Sequence, residues 1–271
     1  MNEVRSFLLE DRGVLELSGS EAKSFLQGLI TQNIDLLTPD GPLYSALLTP
    51  QGKFLFDFFL WDGGDVLFLD VAKDQLMNLA RRLLFYKLRA DVNVGDASKT
   101  YNVWASTGVP DGFCADLRLD GLGGRAFVRA DEPVAVKDDG GSAEWRRHRL
   151  ERSVTSGGEL TSEKNFPIEA NLDLFGAIDF QKGCFVGQEV ASRTKRRGTV
   201  RKRIVRLIGL PDAPIEKGTA VVANERTVGQ IVAHVGNSGM ALMKLDALDS
   251  DLTIGGHSVT AEPASWLTEV L

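Results

Sequence analysis

Lys182-Gly183-Cys184-Phe185-Val186-Gly187-Gln188-Glu189 sets one of only two cysteines in the chain between two glycines and beside a lysine. Glycine admits positive φ and lets a backbone come close to a ligand. The Gly187-Gln188-Glu189 step can open a helix, whose N-terminal amides and dipole favour a nearby thiolate. Lys182 acts in the same direction. The stretch describes an exposed, activatable sulfur on a tight turn. The competing reading is a small cysteine buried in a helix–strand turn, and the flanking glycines and lysine tip the balance to a functional thiol.

Downstream of this stretch the charge changes sign. From Val190 to Pro211 there is no acid, while Arg193, Lys195, Arg196, Arg197, Arg201, Lys202, Arg203 and Arg206 are all present. The whole chain carries a net charge of -6, which argues against a dedicated nucleic-acid binder. One concentrated basic segment in an acidic protein offers one anion site. The alternative is a solvated basic face without a ligand.

Further out, the pattern is that of a mixed α+β body. Residues 1–17 read as strand, and Ser18 to Asn33 as a helix opened by a capping box between Ser18 and Glu21. Tyr44–Leu48 and Phe54–Leu60 read as strands joined at Pro50-Gln51-Gly52, with a further strand over Val66–Ala72. Lys73–Arg89 is the strongest helix, with Leu76, Leu79, Ala80, Leu83, Leu84 and Leu88 on helical spacing. Strands follow near Val92, Val103 and Phe127, then a short helix over Ala143–Ser153. After residue 200 the texture turns to short β runs broken by turns, at 204–208, 219–222, 228–235 and 240–245, the mark of a small barrel or sandwich. The division is a body over 1–200 and a β module over 201–271.

The chain has 271 residues, 43% hydrophobic and 25% charged, an ordinary composition for a folded protein with a substantial core. Two cysteines make no disulfide framework and suit a reducing cytoplasm. The N-terminus shows no signal peptide, and no apolar run approaches the ~20 residues of a membrane span. Three scattered histidines lack zinc spacing, and no phosphate loop or nucleophile elbow is present.

The octapeptide also resembles the KGC[YF]xGQE signature of the YgfZ family, folate-binding proteins of iron–sulfur cluster maintenance related to the aminomethyltransferase (T-protein) of glycine cleavage. The likeness extends over most of the chain. RGVLELSGSEAKSFLQGLITQNI, Tyr44–Lys53, Phe85-Tyr86-Lys87-Leu88-Arg89, Arg149-Leu150-Glu151 and Pro167–Leu172 follow in family order. The resemblance implies a T-protein-like three-lobed fold of two intertwined lobes around a central pocket, closed by a C-terminal β-barrel. It implies tetrahydrofolate as ligand and iron–sulfur assembly proteins as partners.

On that resemblance, Cys184 is the reactive or cluster-ligating thiol, and a cluster would be shared with a partner or small thiols, because one cysteine cannot complete it. Lys182, Gln188 and Arg193 would hold anionic groups near it, and Glu189 of the same motif is a further cofactor-binding candidate. Glu151 resembles the glutamate of the RLEAG segment that meets the pterin, a carboxylate suited to the ring's donor edge, although Arg152-Ser153 replaces Ala-Gly. Asp57 is a lone charge among Phe54, Leu55, Phe56, Phe58 and Phe59. It either faces the wet side of an alternating strand or meets folate in the pocket. The T-protein carries two acids there and this chain has Phe56-Asp57, which places an aminomethyltransferase or demethylase second. A tRNA contact through 193–206 comes third, since few aromatics interleave the basic run.

Overall fold

The apolar runs pair into three sheets in the computed structural model, which describes residues 3–197 and 200–271. In chain order the body holds β1 (Ser6–Leu8), β2 (Arg12–Ser18), α1 (Ala22–Gln27), β3 (Leu43–Leu48), β4 (Phe54–Asp62), β5 (Val66–Ala72), α2 (Leu76–Lys87), β6 (Asn93–Asp96), β7 (Tyr101–Ser106), β8 (Cys114–Ala115), β9 (Gly124–Arg129), α3 (Gly141–Glu151) and α4 (Gln188–Arg197). The C-terminal part adds β10 (Lys202–Ile208), β11 (Ala220–Ala223), β12 (Arg226–Val235), β13 (Ser238–Lys244), β14 (Leu252–Ile254), β15 (His257–Glu262) and the short α5 (Ser265–Thr268).

A five-stranded antiparallel sheet, β3-β4-β5-β2-β6, is covered on both faces. Phe56, Phe58 and Leu60 of β4 pack with Leu26 of α1 and with Leu79 and Leu83 of α2. Phe59 and Trp61 face the other way. They join a core shared with Phe7 and Val103 of the four-stranded sheet β1-β7-β9-β8, with Trp145 of α3 and with barrel residues Val232 and Met240. Double coverage explains why β4 is almost continuously apolar. It also corrects one reading of Asp57: the carboxylate lies on no wet face, because the residue is only 2% exposed.

Two details of the helices differ from the sequence reading. Ser18 forms no capping box, since it is the last residue of β2 and pairs with Val66 and Asn93. Glu21 instead accepts the backbone N–H of Asp91, and the helix is confined to Ala22–Gln27. On α2 the buried face is Leu76, Leu79, Ala80 and Leu83. Leu84 and Leu88, on the same helical spacing, point outward.

The C-terminal strands close into a barrel of order β10-β13-β12-β11-β14-β15, filled by Val205, Leu207, Ile231, Ala241 and Val259 among others. Pairing of Arg206 with Glu262 and of Ile208 with Thr260 closes the circle. Between α3 and α4, residues 152–187 form turns without helix or strand. Their backbone groups are still partnered, as burial demands: Phe54 N–H donates to Asn165 O, Glu163 N–H to Phe54 O and Ile204 N–H to Glu169 O.

Candidate functional site

The cysteine stretch ends this turn-rich segment and turns into α4. Lys182 is buried, and its Nζ donates to three backbone carbonyls, Gln27 (2.9 Å), Ile30 (2.9 Å) and Gln32 (2.8 Å). The lysine therefore closes the C-terminal end of α1 and is spent structurally. Burial pulls its ammonium down to about 8. Phe185 is sunk in the core. Gly187 takes φ +84, and a Cβ there would lie 2.6 Å from the Thr49 carbonyl oxygen and 3.0 Å from Gly52 Cα. The glycine thus lets the start of α4 lie directly on the β3–β4 turn. Gly183 differs: its Cβ would meet nothing within 4 Å.

Between these anchors Cys184 is exposed. Gln188 donates to the Lys182 carbonyl (3.3 Å) and holds the loop. Glu189 and Arg193 are both exposed, and no ion pair joins them among the described residues. Cys184 has no companion: among the described residues no three His, Cys, Asp or Glu side chains cluster to hold a metal ion.

A second site lies elsewhere. A chamber of about 810 Å³ opens where the body meets the barrel, with Ile215, Ile231 and Val232 on one side and Lys73, Arg146 and Lys217 around it. It narrows past Arg12, Arg149 and Ser156, which also line an inner hollow of about 30 Å³ containing Asp57. Tyr44 Oη donates to Asp57 Oδ2 at 2.7 Å. Burial, then the Asp57 charge, raises the Tyr44 phenol well above its ordinary range and keeps it a donor. Asp57 Oδ1 and Gln75 Oε1 are buried without a partner, and both abut Gly157, whose Cβ would stand 2.1 Å from Asp57 Oδ1 and 3.4 Å from Gln75 Oε1. Three buried arginines complete the wall: Arg12 and Arg125 both bind Asp70, and Arg118 binds Asp116.

The structure therefore separates the expected site residues. Asp57 sits in the funnel. Cys184, Lys182, Gln188, Glu189 and Arg193 belong to the loop and helix, and none of them lines the chamber or the hollow. Glu151 belongs to neither: it is exposed, and its carbonyl accepts from Arg206. Residues two apart on a helix face different ways, so burying Arg149 of α3 turns Glu151 out. The glutamate that does line the chamber is Glu159, bound by Arg149 (3.1 Å), Arg146 (3.1 Å) and the Ser156 N–H (2.7 Å).

The basic segment 193–206 also divides. Arg193, Lys195, Arg196, Arg201 and Lys202 are exposed. Arg203 is buried against Asp173 (3.0 Å) and Asn171, and Arg206 pairs with Glu262 (3.3 Å). Gly198 and Thr199 of that segment lie outside the described residues. No helix among the described residues is long and apolar enough to cross a membrane.

Comparison with known proteins adds four findings. Residues 201–269 match the model of the CAF17 C-terminal beta-barrel domain. The chain is 32% identical to the mitochondrial iron-sulfur cluster assembly factor IBA57 homolog of Pyricularia oryzae, across 93% of this chain and 75% of that protein. It is 29% identical to the Coccidioides immitis homolog, across 94% and 75%. The fold is that of the glycine cleavage system aminomethyltransferase T from Bartonella henselae, with TM-score 0.75 over 97% of this chain and 86% of that one, at 14% identity. The T-protein-like α+β fold with a terminal barrel thus holds. The cytoplasmic location does not: these relatives are named as mitochondrial proteins, and a low cysteine count is common to any reducing compartment.

Proposed function

We propose that this chain, which belongs to the family of IBA57 iron–sulfur cluster assembly factors, acts in cluster assembly by lending the Cys184 thiolate to a cluster shared with an assembly protein. The observation that carries this reading is an exposed thiol on a loop fixed at both sides, by Lys182 on three carbonyls and by Phe185 and Gly187 in close packing. A thiolate is the form that ligates iron, and a cluster usually needs several. The solitary cysteine makes the partner supply the others. A fixed loop limits the entropy lost when that partner docks.

The likeness to the YgfZ family adds the finer reading that tetrahydrofolate is bound. The 810 Å³ chamber suits such a ligand in volume and charge. Lys73 and Lys217 would hold its carboxylates, and Ile215 and Ile231 its rings, while Arg146 stays on Glu159. The hollow at Asp57, at about 30 Å³, has room for a water but not for a pterin. Aminomethyl transfer or demethylation is the weaker reading, because Asp57 is sealed between Tyr44 and Gly157. A tRNA contact is weaker still, since Arg203 and Arg206 are already paired.

Complementation of a strain lacking its own assembly factor tests the thiol. Cys184→Ser should fold normally and fail to restore the activity of cluster-dependent enzymes; full rescue by the serine variant refutes it. Calorimetry with tetrahydrofolate tests the chamber separately, and Glu151→Ala should leave any binding unchanged.

A further inference from the structure

The outer face of α2 has no role in either site. Met77, Arg81, Leu84 and Leu88 follow one another at i, i+4, i+7 and i+11, one line along the helix. Met77 is 55% exposed, Leu84 50%, Leu88 87% and the neighbouring Phe85 72%. Leu88 is held just past the helix end at φ +47 and ψ -105, a conformation that costs a non-glycine residue strain. The core gains nothing from it, since the side chain stands in water. Beside the stripe runs a groove of about 620 Å³, floored by Leu55, Phe56 and Phe85, edged by Arg81 and Arg82 toward the stripe and by Asp74 and Glu163 elsewhere on its wall. Scattered exposed apolar residues need no explanation, but a contiguous patch next to a groove marks an interaction surface.

Charge identifies the occupant. The stretch Leu76–Arg89 contains Arg81, Arg82, Lys87 and Arg89 and no acid, within a chain of net charge -6. Arg82 reaches Glu163 at 3.4 Å. Arg81, Lys87 and Arg89 have no carboxylate within 4.0 Å among the described residues. We propose that this face docks an amphipathic helix of another protein, with apolar anchors for the groove and a flanking row of Asp or Glu. A second copy docked through this same face would set like charges against like. A bilayer is flat where this groove is concave. Helix-in-groove recognition by spaced apolar anchors is the physical mode, and charge sets the partner. The proposal does not depend on the role of Cys184.

Fluorescence anisotropy of the full chain tests it, with a labelled synthetic Leu/Glu amphipathic helix of about 18 residues, long enough to hold helical form. The acidic peptide should bind saturably, and its Leu/Lys counterpart should not. Phe85→Ala and Leu84→Glu should each weaken binding by about tenfold or more, with an unchanged thermal midpoint, because both side chains are exposed. No binding of the acidic peptide, or equal binding by wild type and variants, overturns the proposal. So does sedimentation with phosphatidylserine vesicles that the same substitutions abolish, which would make the face a membrane surface. A concentration-dependent dimer lost in the same variants would assign it to a second copy instead.

Discussion

Two glycines flank Cys184, and the structure gives them opposite duties. Gly187→Ala places a Cβ at φ +84, which costs an L-residue about 1–2 kcal/mol. The new atom would also lie 2.6 Å from Thr49 O, 3.0 Å from Gly52 Cα and 3.0 Å from Leu48 Cβ. Two of those neighbours are backbone atoms of the buried residues Thr49 and Gly52 and cannot swing aside, so overpacking adds about 1–3 kcal/mol. The expected loss is about 2–5 kcal/mol. Gly183→Ala meets nothing within 4 Å and has no positive φ, so it should stay within about 0.5 kcal/mol of wild type. Urea denaturation followed by tryptophan fluorescence measures both from the shift in midpoint at constant slope. Equal stability for Gly187→Ala and wild type would refute the close packing of loop on turn. A large loss for Gly183→Ala would refute the open surface beside the thiol. If a partner seats on that surface, Gly183→Val should keep its stability and lose complementation.

Other perturbations test the remaining geometry. Burial depresses the Lys182 ammonium to about 8 from 10.5, so the unfolded chain binds more protons between those values and stability should rise with pH across that window. Lys182→Met should flatten the rise in urea melts taken over that window, and at neutral pH cost about 2–3 kcal/mol as three carbonyls lose their donor. Burial pushes the Glu159 carboxyl up, but Arg149 and Arg146 outweigh it and hold it at about 2 against 4.5. Its stabilisation is present above 4.5 and lost as pH falls toward 2. Glu159→Gln should remove that acid slope and cost about 3–5 kcal/mol near neutrality, read by thermal melts against pH. Iodoacetamide followed by peptide mass spectrometry should label exposed Cys184 well before Cys114, which is half-buried and whose thiol burial pushes up; reversed order would contradict the loop geometry.

Much of the framework was legible because its signals are local. β5 spans the Val66–Ala72 run read as a strand, and the barrel strands β10 to β13 fall on the short β runs. What escaped depends on contacts distant in sequence. Arg149 and Glu151 share one segment, and only the funnel decides which turns inward. Glu159 binds that arginine from an irregular segment with no periodicity to place it. Asp70 carried a readable signal, an acid inside the apolar strand Val66–Ala72, just as Asp57 does in β4. Its partners Arg12 and Arg125 come from different sheets, and only topology brings them together. Lys182 shows the limit of motif reading: a cation beside a thiol in sequence, it reaches back to carbonyls of Gln27–Gln32.

The separation of thiol and funnel has a physical consequence. The two regions share β4, whose preceding turn touches Gly187 and whose middle carries Asp57. Five residues of strand set these points roughly 16 Å apart. β4 is buried on both faces and paired on both edges by β3 and β5, so it shifts only as a rigid element and at the expense of its packing. A ligand in the chamber therefore gains no direct chemistry with Cys184. It can influence the thiol only by favouring one placement of the β3–β4 turn beneath Gly187 over another, which requires different affinities for the two placements. On the function proposed above, the loop would carry the chemistry of cluster sharing, and a chamber ligand would act only through the scaffold that aims it.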